Sequence, residues 1–406
     1  MKLAQRLDHI EPFYVMECAK AADEIARGPL CDPALGGRPM IYLNIGEPDF
    51  SAPAAVQAAA TRCMAEGRTR YTHATGLPAL REALSAWYRT RFGLEVPARR
   101  IVITAGASAA LQLITLALVE LGDEVLMPDP SYPCNRHFVA AAGGRAKLLA
   151  SPAQARFQLD AESVAAAWTA HTRGVLLASP SNPTGTSIHR GEMRRIVELV
   201  RARGGFTIVD EIYLALSYDE AFGHSALEQG DDVISVNSFS KYFGMTGWRL
   251  GWLVLPDTLV GAVEKLAQNL YICASSVAQH AALACFEPSS LAEYEARRTE
   301  FRARRDFIVP ALQRLGLHVP VVPDGAFYAW ADCSAHARAP ALGHGPGHDG
   351  EGGSWDFCFD VMRRAQVALT PGRDFGHAGT ERFLRLSFAS SMAQLHEAVR
   401  RLGAAL

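Results

Sequence analysis

From Ile101 onward, short β-branched or apolar runs alternate with stretches of helical periodicity, and this rhythm limits the fold more than any other feature of the chain. Ile101–Thr104, Glu124–Met127, Ala146–Leu149, Val175–Ala178, Phe206–Val209, Val233–Val236 and Leu250–Leu255 read as strands. Ser108–Leu121 and Arg190–Arg203 read as helices between them. Strands that are apolar throughout belong to sheets covered on both faces, and a helix returning between two strands makes them parallel. The expectation is a doubly wound, mostly parallel α/β sheet. Such sheets bind ligands beyond the carboxyl ends of their strands, so chemistry should stand just after each apolar run.

Two other regions lie outside that rhythm. Phe13 to Arg27 has helical spacing and stops at Gly28-Pro29. After Pro288 a long charged helical stretch, Leu291–Leu315, is followed by short strands at Ala326–Trp330 and Phe383–Phe388 and helices at Trp355–Ala365 and Met392–Leu402. This reads as a smaller α+β domain. The division expected is 1–45 as an N-terminal segment belonging to the small domain, 46–287 as the large domain and 288–406 as the C-terminal small domain. A length of 406 residues allows each to bury a core.

A formal net charge of -2 gives no support to nucleic-acid binding. No apolar run is long enough to cross a bilayer, and Met1–Phe13 lacks a signal-peptide core. The eight cysteines form no CxxC pair, which argues against a zinc or redox motif, and a reduced cytoplasmic compartment is expected. Ala335–Gly353 gathers His336, His344 and His348 among Gly, Ala and Pro. It reads as a surface loop and not as a metal site, because the spacing fits no zinc pattern.

The candidate chemistry does follow the apolar runs. Lys241 lies in Ser-Phe-Ser-Lys (238–241), eight residues before Arg249 in Gly-Met-Thr-Gly-Trp-Arg-Leu-Gly (244–251). Desolvation and a neighbouring cation would lower the pKa of such a lysine and let it attack an aldehyde. Ser238 and the Arg249 fork could hold a phosphate. A solvated lysine at a strand end is the alternative. Asp210, in Asp-Glu-Ile-Tyr (210–213), follows a buried strand, where an unpaired carboxylate is costly and a pyridinium nitrogen would suit it. Tyr213 could share that site; an N-cap aspartate with a packed tyrosine would explain the pair equally well. Asn182 stands in the rigid Ser-Pro-Ser-Asn-Pro-Thr-Gly turn (179–185), either as a ligand contact or as turn chemistry alone. Gly106, Ala107 and Ser108 open a helix whose N–H groups attract phosphate. Tyr132, after Pro130-Ser131, could stack on a flat ring. Arg385 sits mid-strand among apolar neighbours and demands an anion, whether a ligand carboxylate or a structural partner. Gly46 would let a ligand approach the backbone. Tyr71, in Arg-Tyr-Thr (70–72), carries no signal by itself.

Taken in order, GEPDF, RYTHATG, GASAAL, PSYP, SNPTG, DEIY, SFSK, GWRLG and RLSF resemble the class I aminotransferases of the aspartate aminotransferase superfamily, from about Phe13 to the C-terminus. The resemblance implies fold type I, with the large domain binding pyridoxal phosphate. It implies that Lys241 bonds the cofactor aldehyde, that Asp210 pairs with the ring nitrogen, and that Asn182 and Tyr213 contact the ring oxygen. Gly106, Ala107, Ser108, Ser238 and Arg249 would hold the phosphate, and Tyr132 would stack on the ring. Tyr71 would reach the phosphate of a neighbouring subunit, implying a homodimer with shared sites. Gly46, Asn182 and Arg385 would receive the substrate carboxylate. The implied reaction moves an amino group from an L-amino acid to a 2-oxo acid by a ping-pong mechanism. Some aspartate-using relatives carry a lysine where this chain has Ser108, so a neutral or aromatic donor is expected. A carbon–sulfur β-lyase on the same scaffold, aspartate aminotransferase proper, and a regulatory protein with a degenerate site are the rival readings.

Overall fold

The computed structural model describes residues 2–337 and 353–406. Its centre is a seven-stranded sheet built from β2 (Ile101–Thr104), β3 (Glu124–Asp129), β4 (Arg145–Ala150), β5 (Thr172–Ala178), β6 (Phe206–Asp210), β7 (Ile234–Ser238) and β8 (Gly251–Val254). The order is β2-β8-β7-β6-β5-β3-β4. Strands β3 to β7 pair in parallel, and β8 runs antiparallel to both β2 and β7. The expected mostly parallel α/β sheet is therefore the observed one. Every strand but β8 points the same way, so the loops after β2, β3, β5, β6 and β7 meet along one edge.

The sheet is buried on both faces, as its unalternating apolar strands require. One face packs on the amphipathic helix Arg190–Ala202 through Met193, Ile196, Val197 and Val200. The other packs on Gly106–Leu118 and Asp257–Leu270. Near β2 and β8 an aromatic cluster of Trp87, Phe239, Phe243 and Trp252 forms, with ring centroids about 5–6 Å apart.

Outside this sheet, β9 (Tyr328–Asp332), β11 (Thr370–Pro371) and β12 (Phe383–Ser387) form an antiparallel sheet in the order β11-β12-β9. It packs beside the helices Pro288–Arg314, Ser354–Ala365 and Met392–Ala405. The two-residue strands β1 (Ile41–Tyr42) and β10 (Val367–Ala368) pair in parallel and tie the N-terminal segment to the C-terminal region.

Several boundaries differ from the sequence reading. The helix read as Ser108–Leu121 starts at Gly106 and ends at Leu118. The strand read from Ala326 begins at Tyr328, because Ala326 is left-handed at φ 58° and breaks the extended chain. Asp210 ends β6 and caps no helix. Its Oδ1 accepts the Ile212 N–H at 3.2 Å in a local turn, which sets aside the N-cap reading. His344 and His348 lie outside the described residues, and His336 Nε2 is 2.6 Å from the Leu315 carbonyl oxygen.

Trp252 is 1% exposed among three aromatic neighbours. Trp252→Ala is expected to cost about 3–5 kcal/mol of stability, measured by denaturant unfolding. A loss under about 1 kcal/mol would mean the cluster does not anchor β8.

Candidate active site

The carboxyl edge of the sheet collects the residues singled out from the sequence. Ser179–Asn182 follow β5, Asp210 ends β6, and Ser238 and Lys241 follow β7. Between β7 and β8 the chain makes a loop closed at its base by Phe239 N–H to Leu250 O at 3.0 Å. Lys241 stands near one end of that loop and Arg249 at the other, so one element carries both cations.

Lys241 is half-buried. Its Nζ donates to the Gly46 carbonyl at 2.6 Å. It faces the rings of Tyr213 and Phe327 at 5.8 and 5.9 Å. Burial first, and after it the Arg385 cation, draw its pKa down to about 8; Glu47 opposes this, Arg249 adds to it more weakly, and Asp210 opposes least. The reading of a solvated lysine is thus overturned.

Asp210 is 4% exposed, and among the described residues the Ile212 N–H is the one hydrogen-bond donor to its carboxyl group. Burial pushes its carboxyl up to about 7, with a small opposing effect from that N–H. Its neighbour Glu211 points away and is also buried, but it accepts from Ser225 Oγ, Ser235 Oγ and the Ala226 N–H. The contrast separates a structural carboxylate from one left without a strong partner.

Arg385 is 2% exposed in β12. Nη1 donates to Asn182 Oδ1 at 2.9 Å and Nη2 to the Asn44 carbonyl at 2.7 Å, while Nε is buried with no acceptor. The guanidinium lies over the rings of Tyr328 and Phe375, at 4.5 and 5.0 Å. Among the described residues no carboxylate pairs with it, so the structural ion pair offered as an alternative is absent. A buried guanidinium without a carboxylate partner is suited to receive an anion.

The phosphate candidates also come together. Gly106 is left-handed at φ 84°, and a Cβ there would lie 2.5 Å from Arg249 Nη2. A Cβ on Gly251 would lie 2.9 Å from the Ala107 N. Gly106, Ala107 and Ser108 form the first turn of a 13-residue helix, whose leading N–H groups have no partner within it. Arg249 is exposed, and the one hydrogen bond it donates goes to the Thr246 carbonyl at 3.2 Å. Ser238 Oγ accepts from the Ser240 N–H at 3.0 Å. Helix start, glycine and unopposed guanidinium form a cradle suited to a phosphate.

Tyr132 packs edge-on against Phe13 at 6.1 Å. Its phenol is pushed well up by burial, then by Cys134, Tyr328 and Asp210, which places it among the site residues. Tyr71 is not brought to the others within the chain: it is 79% exposed. Gly46 joins the site differently from the sequence reading. Its carbonyl holds Lys241, and a Cβ there would collide with the Tyr328 hydroxyl.

Two site residues escaped the sequence reading. Tyr328 has its hydroxyl 2.8 Å from that of Tyr213. Asn44 holds Arg385 by its carbonyl, and its buried side-chain amide has no partner. The signals were an aromatic pair after Pro323-Asp324-Gly325 and a polar residue ending an apolar run.

A sheet edge with a buried lysine, a buried aspartate lacking a strong partner and a cradle suited to phosphate has the chemistry that pyridoxal phosphate requires of an α/β fold. Comparison with known proteins agrees. The family described as aminotransferase class I and II matches residues 38–402, and the chain belongs to it. It is 36% identical over 395 residues to the valine–pyruvate aminotransferase of Mycobacterium tuberculosis, covering 97% of this chain and 96% of that protein. It is 35% identical over 376 residues to the aspartate aminotransferase of Rhizobium meliloti, covering 91% and 89%. The structure of Thermus thermophilus aspartate aminotransferase with maleate superposes with a TM-score of 0.88 at 29% identity, over 100% of both chains. The chain is a pyridoxal phosphate-dependent aminotransferase of fold type I.

Asp210 offers a direct test in the cofactor-free protein. Between about pH 4 and 7 the unfolded chain has lost this proton while the folded one keeps it, so the group lowers stability as pH rises through that window. Above 7 the penalty is complete, at about 1.4 kcal/mol per pKa unit. Cofactor-free Asp210→Asn should match wild type near pH 4 and exceed it by a few kcal/mol at pH 8 in denaturant unfolding. A difference independent of pH would contradict the assignment.

Proposed function

We propose that this enzyme moves the amino group of a neutral L-amino acid to a small 2-oxo acid, with each residue of the cluster in a distinct role. The observation that carries this reading is the buried Arg385, unopposed by any carboxylate among the described residues, on the same edge as Lys241 and Asp210. When bound, pyridoxal phosphate supplies an aldehyde that takes up the amino group and a ring that accepts the electron pair left at the α-carbon. Lys241 Nζ, neutral in a large fraction near its lowered pKa, would hold the cofactor through that aldehyde and, when free, would take the α-proton as general base. Asp210 holds a proton on the ring nitrogen. Tyr213 and Asn182 would donate to the ring oxygen, and Tyr132 would supply an aromatic surface for the ring. Gly106, Ala107, Ser108, Ser238 and Arg249 hold the phosphate.

Arg385 receives the substrate α-carboxylate, helped by Asn182 and by the Gly46 N–H, which makes no hydrogen bond among the described residues. A neutral donor is supported by Ser108, by the aromatic surroundings of Arg385, and by the relative named for valine and pyruvate.

The exposure of Tyr71, at 79%, supports a homodimer in which Tyr71 completes the partner's phosphate site. The parallel pairing of β1 with β10 supports counting 1–45 with a small domain of 288–406, against a large domain of 46–287. A cytoplasmic location is supported by eight free thiols. Among the described residues no helix is long and apolar enough to cross a membrane.

Borohydride reduction and digestion should yield a single labelled peptide carrying Lys241; a label on another lysine would remove the central assignment. Across a panel of amino donors with pyruvate and 2-oxoglutarate, neutral donors should give the higher kcat/KM. In the same panel Arg385→Ala should weaken every donor by about 2–5 kcal/mol in kcat/KM, since it removes one partner of a desolvated pair. A loss confined to one donor would instead place Arg385 at the side chain.

A further inference from the structure

Tyr328 touches three parts of the site at once. Its hydroxyl is 2.8 Å from the Tyr213 hydroxyl, its ring lies 4.5 Å beneath the Arg385 guanidinium, and its oxygen fills the space a Cβ on Gly46 would need. Gly46 in turn holds Lys241 by its carbonyl. Tyr328 is 1% exposed and comes from β9, whereas Tyr213 and Lys241 come from the loops of the large sheet.

The chain fixes this residue rigidly. Ala326, two residues earlier, is held left-handed and fully buried. Its carbonyl accepts from the Tyr218 hydroxyl. The Asp324 and Gly325 N–H groups both donate to the Gly185 carbonyl, at 2.9 and 3.1 Å. Asp324 also pairs with Arg156 and accepts the Ser187 N–H at 2.8 Å. Gly185 closes the turn that carries Asn182, and a Cβ there would lie 2.6 Å from Pro323 Cβ and 3.0 Å from the Tyr328 carbonyl. The segment 323–328 is therefore interlocked with the turn 179–185. A left-handed alanine without glycine's freedom is costly and persists only where its surroundings demand it.

We propose that Tyr328 is a positioning residue, donating to the Tyr213 oxygen so that Tyr213 is turned toward the cofactor ring oxygen, and tying that hydrogen bond to the carboxylate receptor Arg385. The proposal rests on the roles given above to Lys241, Tyr213 and Arg385. Tyr213 has two hydrogen-bonding roles, one O–H to give and lone pairs to receive. With the Tyr328 proton committed to it, its own proton is free for the ring oxygen. The charged and titratable groups facing the pair are Arg385 from β12, Asp210 at the end of β6, Lys241 after β7 and Tyr132 after β3.

A donor that is itself hydrogen-bonded is a stronger donor. Through Tyr213 it draws charge from the ring oxygen, and that charge helps retain the proton on the nitrogen contributed by Lys241. Tyr328→Phe keeps the ring under Arg385 and removes only the hydroxyl. In the holoenzyme its absorbance–pH titration should move up by about 0.5–1 pH unit, the size of one neutral hydrogen bond. Its kcat should fall about 2–10-fold with KM changed less than about twofold. Added to Tyr213→Phe, the same substitution should move the titration no further. Tyr328→Leu, which also removes the ring, should raise KM for amino donors severalfold.

An unmoved titration in Tyr328→Phe overturns the proposal, as does an equal shift in the Tyr213→Phe background, which a merely structural role would produce. An unchanged KM in Tyr328→Leu overturns the tie to Arg385. Borohydride labelling of each variant separates the two levels. A label away from Lys241 defeats the reading of the site, whereas a label on Lys241 with an unmoved titration defeats only the role of Tyr328.

Discussion

Removing a charge from water without giving it an opposite charge is among the most expensive things a fold can do, and this chain does it with Arg385 and again, in opposite sign, with Asp210. Each is surrounded well enough to be tolerated. Arg385 has acceptors in Asn182, the Asn44 carbonyl and, at 3.5 Å, the Thr370 hydroxyl, together with two aromatic faces; the Asp210 carboxyl has a single N–H and keeps its proton until about pH 7. Neither is satisfied. The arrangement is intelligible as the ligand-free half of two ion pairs whose other halves arrive with a carboxylate and a pyridinium. Lys241, drawn the other way by the same low-polarity surroundings, is the amine that can react while those pairs form.

The sheet makes this economy possible. With every strand but β8 running in one direction, five loops end at one edge, and residues distant in sequence converge without any single loop having to be long. The contribution of the smaller sheet is different. It supplies Arg385, the proposed carboxylate receptor, from β12 and the Tyr328 hydroxyl from β9, so both sheets contribute side chains to the cluster.

The parallel strands were legible because each is an uninterrupted apolar run between turn residues, and the polar residue following each run then stood out. Asp210, Asn182 and Lys241 were visible on that basis, and Arg385 on another, as a charge in the middle of an apolar strand. Tyr328 was not, because an aromatic residue in Ala-Phe-Tyr-Ala-Trp looks like core, and only the Gly46 backbone and the Tyr213 hydroxyl, far off in sequence, give its oxygen a purpose. Asn44 was hidden for the same reason, since it works through its carbonyl, which any residue has. The start of β9 was misplaced because alanine carries no mark of a left-handed backbone. Tyr71 differs again: its family resemblance was legible, yet within one chain it meets nothing of the site.

The antiparallel strand β8 has a consequence of its own. Because it enters the sheet from the edge where β7 leaves it, the Lys241 amine and the Arg249 guanidinium belong to one short hairpin pinned at its neck by Phe239 and Leu250. The span between the reacting end and the anchoring end of the cofactor is thus measured out by a dozen consecutive residues and not by the breadth of the sheet.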